Sequence, residues 1–214
     1  MRKLLYIFLI IFSTAESIFG QKDTTGTTPE KIVWGTSIGT LYSIASYSLN
    51  YFAYGTLDKG KSFFALGPVL GPKLYFNDGA PHYPQSGEYR LNGFHCVYQI
   101  NPNPERKRFD FYFQYQFIFL YYQTEGNNYD FVNGAIVTYP YNAYLSAVEN
   151  FIGYGFKVKF LKSFFLTQSI SIGLNREHTL IDHDNPNFHD YDYGYSWQPD
   201  FMINAGLGFN FNKK

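Results

Sequence analysis

Cysteine is almost absent from this chain: Cys96 is the one thiol in 214 residues. That excludes an internal disulfide and any multi-thiolate metal or redox centre. Its position within a strand-like run also excludes a lipid-attachment cysteine at a mature amino terminus. Charge is sparse, at 16% of residues, and balanced, with 17 Lys+Arg against 17 Asp+Glu. Such a balance names no nucleic-acid partner. Long apolar runs are missing as well. After Leu4–Phe12 none approaches the ~20 residues of a spanning helix, and mean hydropathy is slightly negative, so a helical membrane protein is excluded. No G-x-S-x-G elbow is present. The Gly-rich segments Gly67–Gly71 and Gly206–Gly208 lack the helix that a phosphate cradle needs.

What the chain has in excess is rings, with 23 Phe and 21 Tyr. The end of the sequence shows how they are arranged. Phe201, Ile203, Ala205, Leu207, Phe209 and Phe211 alternate with Met202, Asn204, Gly206, Gly208, Asn210 and Asn212. A strand that is apolar on one face and small or polar on the other suits a closed barrel, lipid outside and lumen inside. Period-two exposure also reconciles many rings with low hydropathy. A soluble β-sandwich is the competing architecture.

The amino terminus carries Arg2 and Lys3, then the apolar run Leu4–Phe12, then a polar stretch ending at Gln21. It reads as a signal peptide over residues 1–20, cleaved after Gly20 or, alternatively, after Ala15. Its removal leaves a net charge of about minus one. Residues 21–30 (QKDTTGTTPE) form a polar lead-in, and residues 31–214 are expected to be the barrel domain. Alternation predicts strands at Ile32–Tyr42, Ala45–Thr56, Ser62–Phe76, Arg90–Asn101, Arg108–Gln123, Val148–Leu161, Phe164–Arg176 and Phe201–Asn212. No turn signal separates the first two, so one long bent strand is an alternative there. The architecture predicted is all-β, an up-and-down antiparallel transmembrane barrel of ~8 strands. Connections alternate between short (Leu57–Lys61, Asn101–Lys107, Lys162–Ser163) and long (Asn77–Tyr89, Thr124–Ala147, Glu177–Asp200). Short turns on the periplasmic side place both termini there and the long loops outside.

The signal peptide, the Gly-punctuated strands (Gly35 and Gly39, Gly67 and Gly71, Gly153 and Gly155, Gly206 and Gly208) and the aromatic final strand FMINAGLGFNF resemble the outer-membrane β-barrel domain family of Gram-negative bacteria. The chain is similar in plan to the small OmpA-type and OmpX-type barrels, without a following periplasmic domain. The resemblance covers residues 31–212 as a pattern rather than a motif, and Asn212-Lys213-Lys214 follow the aromatic that commonly ends such chains. It implies an outer-membrane location, lipid and lipopolysaccharide as surroundings, contact with the barrel-assembly machinery during biogenesis, no wall-anchoring role and no cofactor.

Lys73, His95, Asp110, Gln114, Gln116, Glu149, Lys157 and Lys159 fall on lumen-facing positions. Charges in a narrow lumen must be paired, so an ion pair from Asp110 to Lys157 or Lys159 is expected within a side-chain plug. A proton or ion path along these residues is the transport alternative. Ser169, Ser171, His95 and Glu149 also face inward on strands that are not all adjacent, which speaks against nucleophilic hydrolysis. Asp182, His183, Asp184 and His189 form the weak metal candidate, in a spacing that matches no defined motif. Tyr191, Tyr193, Tyr195 and Trp197 are candidates for surface ligand contact or for an interfacial girdle. Together these features predict a non-enzymatic surface barrel with a structural or adhesin-like role toward an unknown extracellular ligand, with a narrow pore for a small solute as the alternative.

Overall fold

The structure is a computed structural model that describes residues 32–44, 48–72, 75–77, 80–82, 89–102, 108–161, 163–183 and 191–211. The expected signal peptide and lead-in lie outside these residues. Ten strands follow in chain order: β1 (Val33–Ser43), β2 (Ser48–Asp58), β3 (Ser62–Pro72), β4 (Tyr75–Asn77), β5 (Ala80–His82), β6 (Tyr89–Ile100), β7 (Phe109–Val132), β8 (Ala135–Lys159), β9 (Phe164–His183) and β10 (Tyr191–Asn210). Eight of them close into an antiparallel barrel in the order β1-β10-β9-β8-β7-β6-β3-β2, and β4 and β5 form a separate two-stranded hairpin. The ring closes where β10 meets β1, with Gly39 opposite Gly206 and Gly35 opposite Asn210.

The alternation sorts side chains as a lipid-immersed barrel requires. Ile38, Phe111, Phe113, Ile152, Tyr154, Ile172 and Leu207 point outward and are exposed. Phe109 and Phe156 are also outward, stacked at 5.4 Å between centroids, and Phe209 lies on the same exterior against Phe164 at 4.8 Å. None of these rings belongs to the buried interior. Apolar surface on this scale is unfavourable in water and is stabilised by hydrocarbon.

Several expected boundaries change. Val33–Ser43 and Ser48–Asp58 are two strands paired along their length, from Val33 with Asp58 to Ser43 with Ser48, so the long bent strand is not formed. The third strand stops at Pro72, and Tyr75–Asn77 leaves the wall to pair with Ala80–His82. The larger correction concerns the segments expected as long loops. Thr124–Ala147 is strand almost throughout: β7 runs for 24 residues and β8 for 25, paired without a break from Phe109 with Val158 to Val132 with Ala135. Their turn is Asn133-Gly134, with φ of 51° and 80°. Positive φ at both central residues is the turn whose twist matches a β-hairpin, and glycine takes it without a Cβ clash. Glu177–Asp200 is likewise strand at both ends, β9 reaching His183 and β10 starting at Tyr191.

These strands are roughly twice the ~9 to 11 residues that cross a bilayer. Their polarity reverses along their length. From Val158 down to Ile152 on β8 the apolar side chains point out, whereas from Ala147 to Tyr141 it is Ala147, Leu145, Ala143 and Tyr141 that are buried inside, with Ser146 and Asn142 outward. The lower wall is built for lipid and the upper wall for water.

Candidate functional site

The lumen is filled from end to end by side chains arranged in zones. At the short-turn end Asp110 pairs with Lys159, while Lys157 reaches across to Asp58 at 3.7 Å. Asp58 and Asp110 thus oppose two lysines, and the quartet is neutral. The Lys157 ammonium also lies 3.8 Å from the centroid of Phe63 and 5.1 Å from that of Phe165, whose rings meet edge to face. Asp58 accepts the Gly60 backbone N–H at 2.8 Å, so the β2–β3 turn orients this carboxylate.

The next zone is polar and aromatic. Tyr54 hydrogen-bonds His95 Nδ1, and Phe52 stacks on Tyr54 at 4.0 Å. Gln99 donates to Gln114 at 3.4 Å, and the amides of Gln114 and Gln116 both donate to Ser171 Oγ, at 3.0 and 2.8 Å. A small void of about 20 Å³ lies in this zone and another of about 10 Å³ beside Asp58, Asp110 and Lys157, the two sharing Phe63, Gln99 and Tyr112 in their walls. Each is the size of a single water. Farther along the same strands the inward positions turn apolar: Leu41, Val69, Ile118, Phe151 and Met202 are almost fully buried. Past them lie Glu149, Asn175 and Asp200, where Ser43 donates to Asp200 at 2.6 Å and Asn175 to Glu177 at 2.6 Å.

Glycines make room for this plug. A Cβ on Gly39 or Gly206 would meet Phe52, one on Gly155 would meet Tyr112, one on Gly173 would meet Phe151, and one on Gly208 would land in the Phe165 ring. The glycine-punctuated strands therefore hold rings, not an aqueous channel.

Of the lumen residues expected from the sequence, His95, Asp110, Gln114, Gln116, Glu149 and Lys157 are buried inside and Lys159 is half-buried; Lys73 lies outside the described residues. Ser169 and Ser171 are buried too. Ser171 is engaged by two glutamines and His95 by Tyr54, so these groups are not brought together as a nucleophile and its base. Asp182 is exposed at the end of β9, His183 ends that strand, and Asp184 and His189 lie outside the described residues. Among the described residues no group of three or more His, Cys, Asp or Glu is placed to hold a metal. Tyr191, Tyr193 and Tyr195 belong to β10 rather than to a loop, and Trp197 is exposed on its outer face beneath the Arg176 guanidinium, 5.4 Å from the ring. Sequence reasoning missed Tyr54, Asp58, Gln99 and the plug rings Phe52, Phe151 and Phe165. The inward parity of all of these but Asp58 was readable; Asp58 fell in the turn expected after Thr56, whereas the strand runs on to it.

A closed antiparallel ring of eight strands with an apolar exterior and a plugged interior defines an integral membrane β-barrel. No protein-family model matches the sequence, and no curated protein matches it. Among solved structures the chain is similar to the N-terminal β-barrel domain of Pseudomonas aeruginosa OprF, at 13% identity over 83% of this chain and 97% of that one, TM-score 0.38. It is also similar to a major outer membrane protein from Thermus thermophilus (10% identity, 84% and 99% covered, TM-score 0.43) and to the outer membrane protease OmpT from Escherichia coli (11%, 88% and 99%, TM-score 0.44). The likeness is one of plan alone.

Proposed function

We propose that this protein is a non-enzymatic, non-conducting anchor of the outer membrane that presents the paired ends of β7 and β8 to the exterior. In this reading the short turns and both termini face the periplasm, and residues 1–20 are the export signal. The observation that carries it is the combination of a plugged lumen with a hairpin twice the length that the membrane requires. A rigid frame holding an extended segment is how binding surfaces are commonly displayed. Among the described residues β9 covers β8 as far as Tyr141, and β8 continues beyond it paired with β7. The tip of the ribbon exposes Tyr129, Phe131 and Ile136, with Phe131 directly opposite Ile136. Three large apolar groups on one face of a water-bathed ribbon suit adhesion to apolar surfaces. Serine chemistry is disfavoured because Ser171 and His95 have other partners.

Two measurements test the proposal. Refolded protein in planar bilayers should show no discrete conductance steps; steps that vanish on Asp110→Asn or Lys157→Ala would establish the pore instead. Cells displaying the full chain should adhere to an apolar abiotic surface more than cells displaying a variant with residues 125–131 and 136–142 deleted, and equal retention would refute the adhesive role.

A further inference from the structure

We propose that the lumen, at the end where the long strands emerge, holds a binding site for a primary alkylammonium group, built by Glu149 on β8, Asn175 and Glu177 on β9 and Asp200 on β10. The site is separate from the ribbon tip and does not depend on the adhesive role.

Register brings these residues together. Glu149 is paired with Asn175 and Ala147 with Glu177, so the two glutamates are diagonal neighbours on one face of β8 and β9. On the other side of β9, Asn175 is paired with Gln198 and Gly173 with Asp200, which sets Asp200 diagonally beside Asn175. All lie on the inward parity. Glu149, Asn175 and Asp200 are buried, and Glu177 is half-buried at the rim. The charges that act most strongly on Glu149 are Asp200 and Glu177, both of its own sign. Like charges on neighbouring strands are destabilising unless something compensates them.

The described residues supply that compensation only in part. Asp200 accepts the Ser43 hydroxyl and the Phe201 backbone N–H, both at 2.6 Å, and Glu177 accepts the Asn175 amide at 2.6 Å. Glu149, in contrast, has no hydrogen bond or ion pair among the described residues, although it is only 5% exposed. Asn175 is 1% exposed, and its Oδ1 is buried without a partner. These two unfilled groups stand opposite each other in register. Both are acceptors. A buried carboxylate and a buried amide oxygen without donors are each unfavourable, and one ligand carrying a positive charge and several N–H donors satisfies both.

The arrangement favours an ammonium over a metal ion. Among the described residues no three carboxylate or imidazole groups are placed to share one metal. An ammonium group instead carries three donors of its own, one each for Glu149, Asn175 Oδ1 and the second carboxylate oxygen of Glu177. The floor beneath is dry. Phe151 lies one inward step below Glu149 and Met202 one below Asp200, both almost fully buried, and Gly173 leaves the space that Phe151 fills. Apolar surroundings strengthen the attraction of these charges for a cation, and the plug gives it no way through. The occupant is therefore held by a terminal ammonium, with an aliphatic stem leaving past Glu177.

Isothermal titration calorimetry of the folded full chain in detergent and amine-free buffer, with cadaverine, tetramethylammonium and calcium as probes, tests the site. Cadaverine should bind about tenfold more tightly than tetramethylammonium, which has the charge but no N–H donor, and than calcium. Glu149→Gln should weaken cadaverine about tenfold and Glu177→Gln, at the more exposed rim, about threefold. Because Glu149 has no partner to lose, Glu149→Gln should leave the urea midpoint of the ligand-free barrel no lower than that of wild type. Nα-acetyl-lysine methylamide distinguishes the sources: binding as strong as that of cadaverine assigns the ammonium to a protein's lysine, its exclusion assigns it to a free amine, and either supports the site. No cadaverine binding by the wild type, equal binding of tetramethylammonium or calcium, undiminished binding by Glu149→Gln, or a lowered midpoint in that variant would overturn the proposal. Conductance and adhesion are measured separately, so failure here leaves the anchor role standing.

Discussion

The ionic quartet at the short-turn end offers a quantitative test of how the lumen is held. Asp110→Asn keeps the shape of the side chain and removes one charge, so packing is preserved while Lys159 loses its partner. Breaking a buried ion pair by removing one member costs about 3–5 kcal/mol when the survivor stays desolvated. The Lys159 side chain is 21% exposed, however, against 5% for Asp110. Its ammonium can regain some water, and about 2–3 kcal/mol is expected for Asp110→Asn. The reverse change, Lys159→Gln, strands the more deeply buried carboxylate, whose Oδ1 has no hydrogen bond, and about 3–4 kcal/mol is expected. The double variant should fall within about 1 kcal/mol of wild type, because neither charge is left alone. Urea titration of the protein in lipid vesicles, followed through Trp34 and Trp197 fluorescence, gives all four corners of the cycle. Single variants within about 0.5 kcal/mol of wild type, or a double variant equal to the sum of the singles, would refute the view that these charges are coupled inside a dry plug.

Other outcomes follow from the same geometry. Gly208→Ala places a methyl in the Phe165 ring and should destabilise the barrel by about 1–3 kcal/mol, with Phe165→Leu recovering part of it in the same urea titration. Gly134→Val strains the hairpin tip at positive φ; amide hydrogen exchange should rise over residues 125–140 while the midpoint of barrel unfolding stays in place. Cys96 is on the outer face of β6 between Phe94 and Tyr98, within the apolar band. In vesicles it should react with a lipophilic maleimide and resist a charged one, and equal labelling by both would argue against lipid contact at that level.

Much of the wall was legible because lipid and lumen impose opposite demands on alternate residues. Phe109 to Phe117 on β7 and Ile203 to Phe211 on β10 carry that contrast, so their faces could be assigned by parity alone. Legibility failed where the contrast fades. From Gln123 to Asn128 polar residues occupy both parities, and on β8 the apolar parity changes sides at Val148 and Glu149. A reader following one phase sees a loop where the chain merely changes solvent. Asn133-Gly134 was the available signal for the hairpin, flanked by Val132 and Ala135, and it outweighed loop composition. The split between Lys157 and Lys159 was not readable either. Asp110 stands opposite Lys157 in register, yet bonds Lys159, because Asp58 from across the barrel takes Lys157.

The change of polarity at Val148 works as a waterline. Raise the barrel by two repeats of its pleat and Ile152 and Ile172 reach the surface; sink it by one and Ser146 is drawn to the boundary. Either displacement is opposed from the moment it starts, so a barrel of this build rides in lipid at one draught.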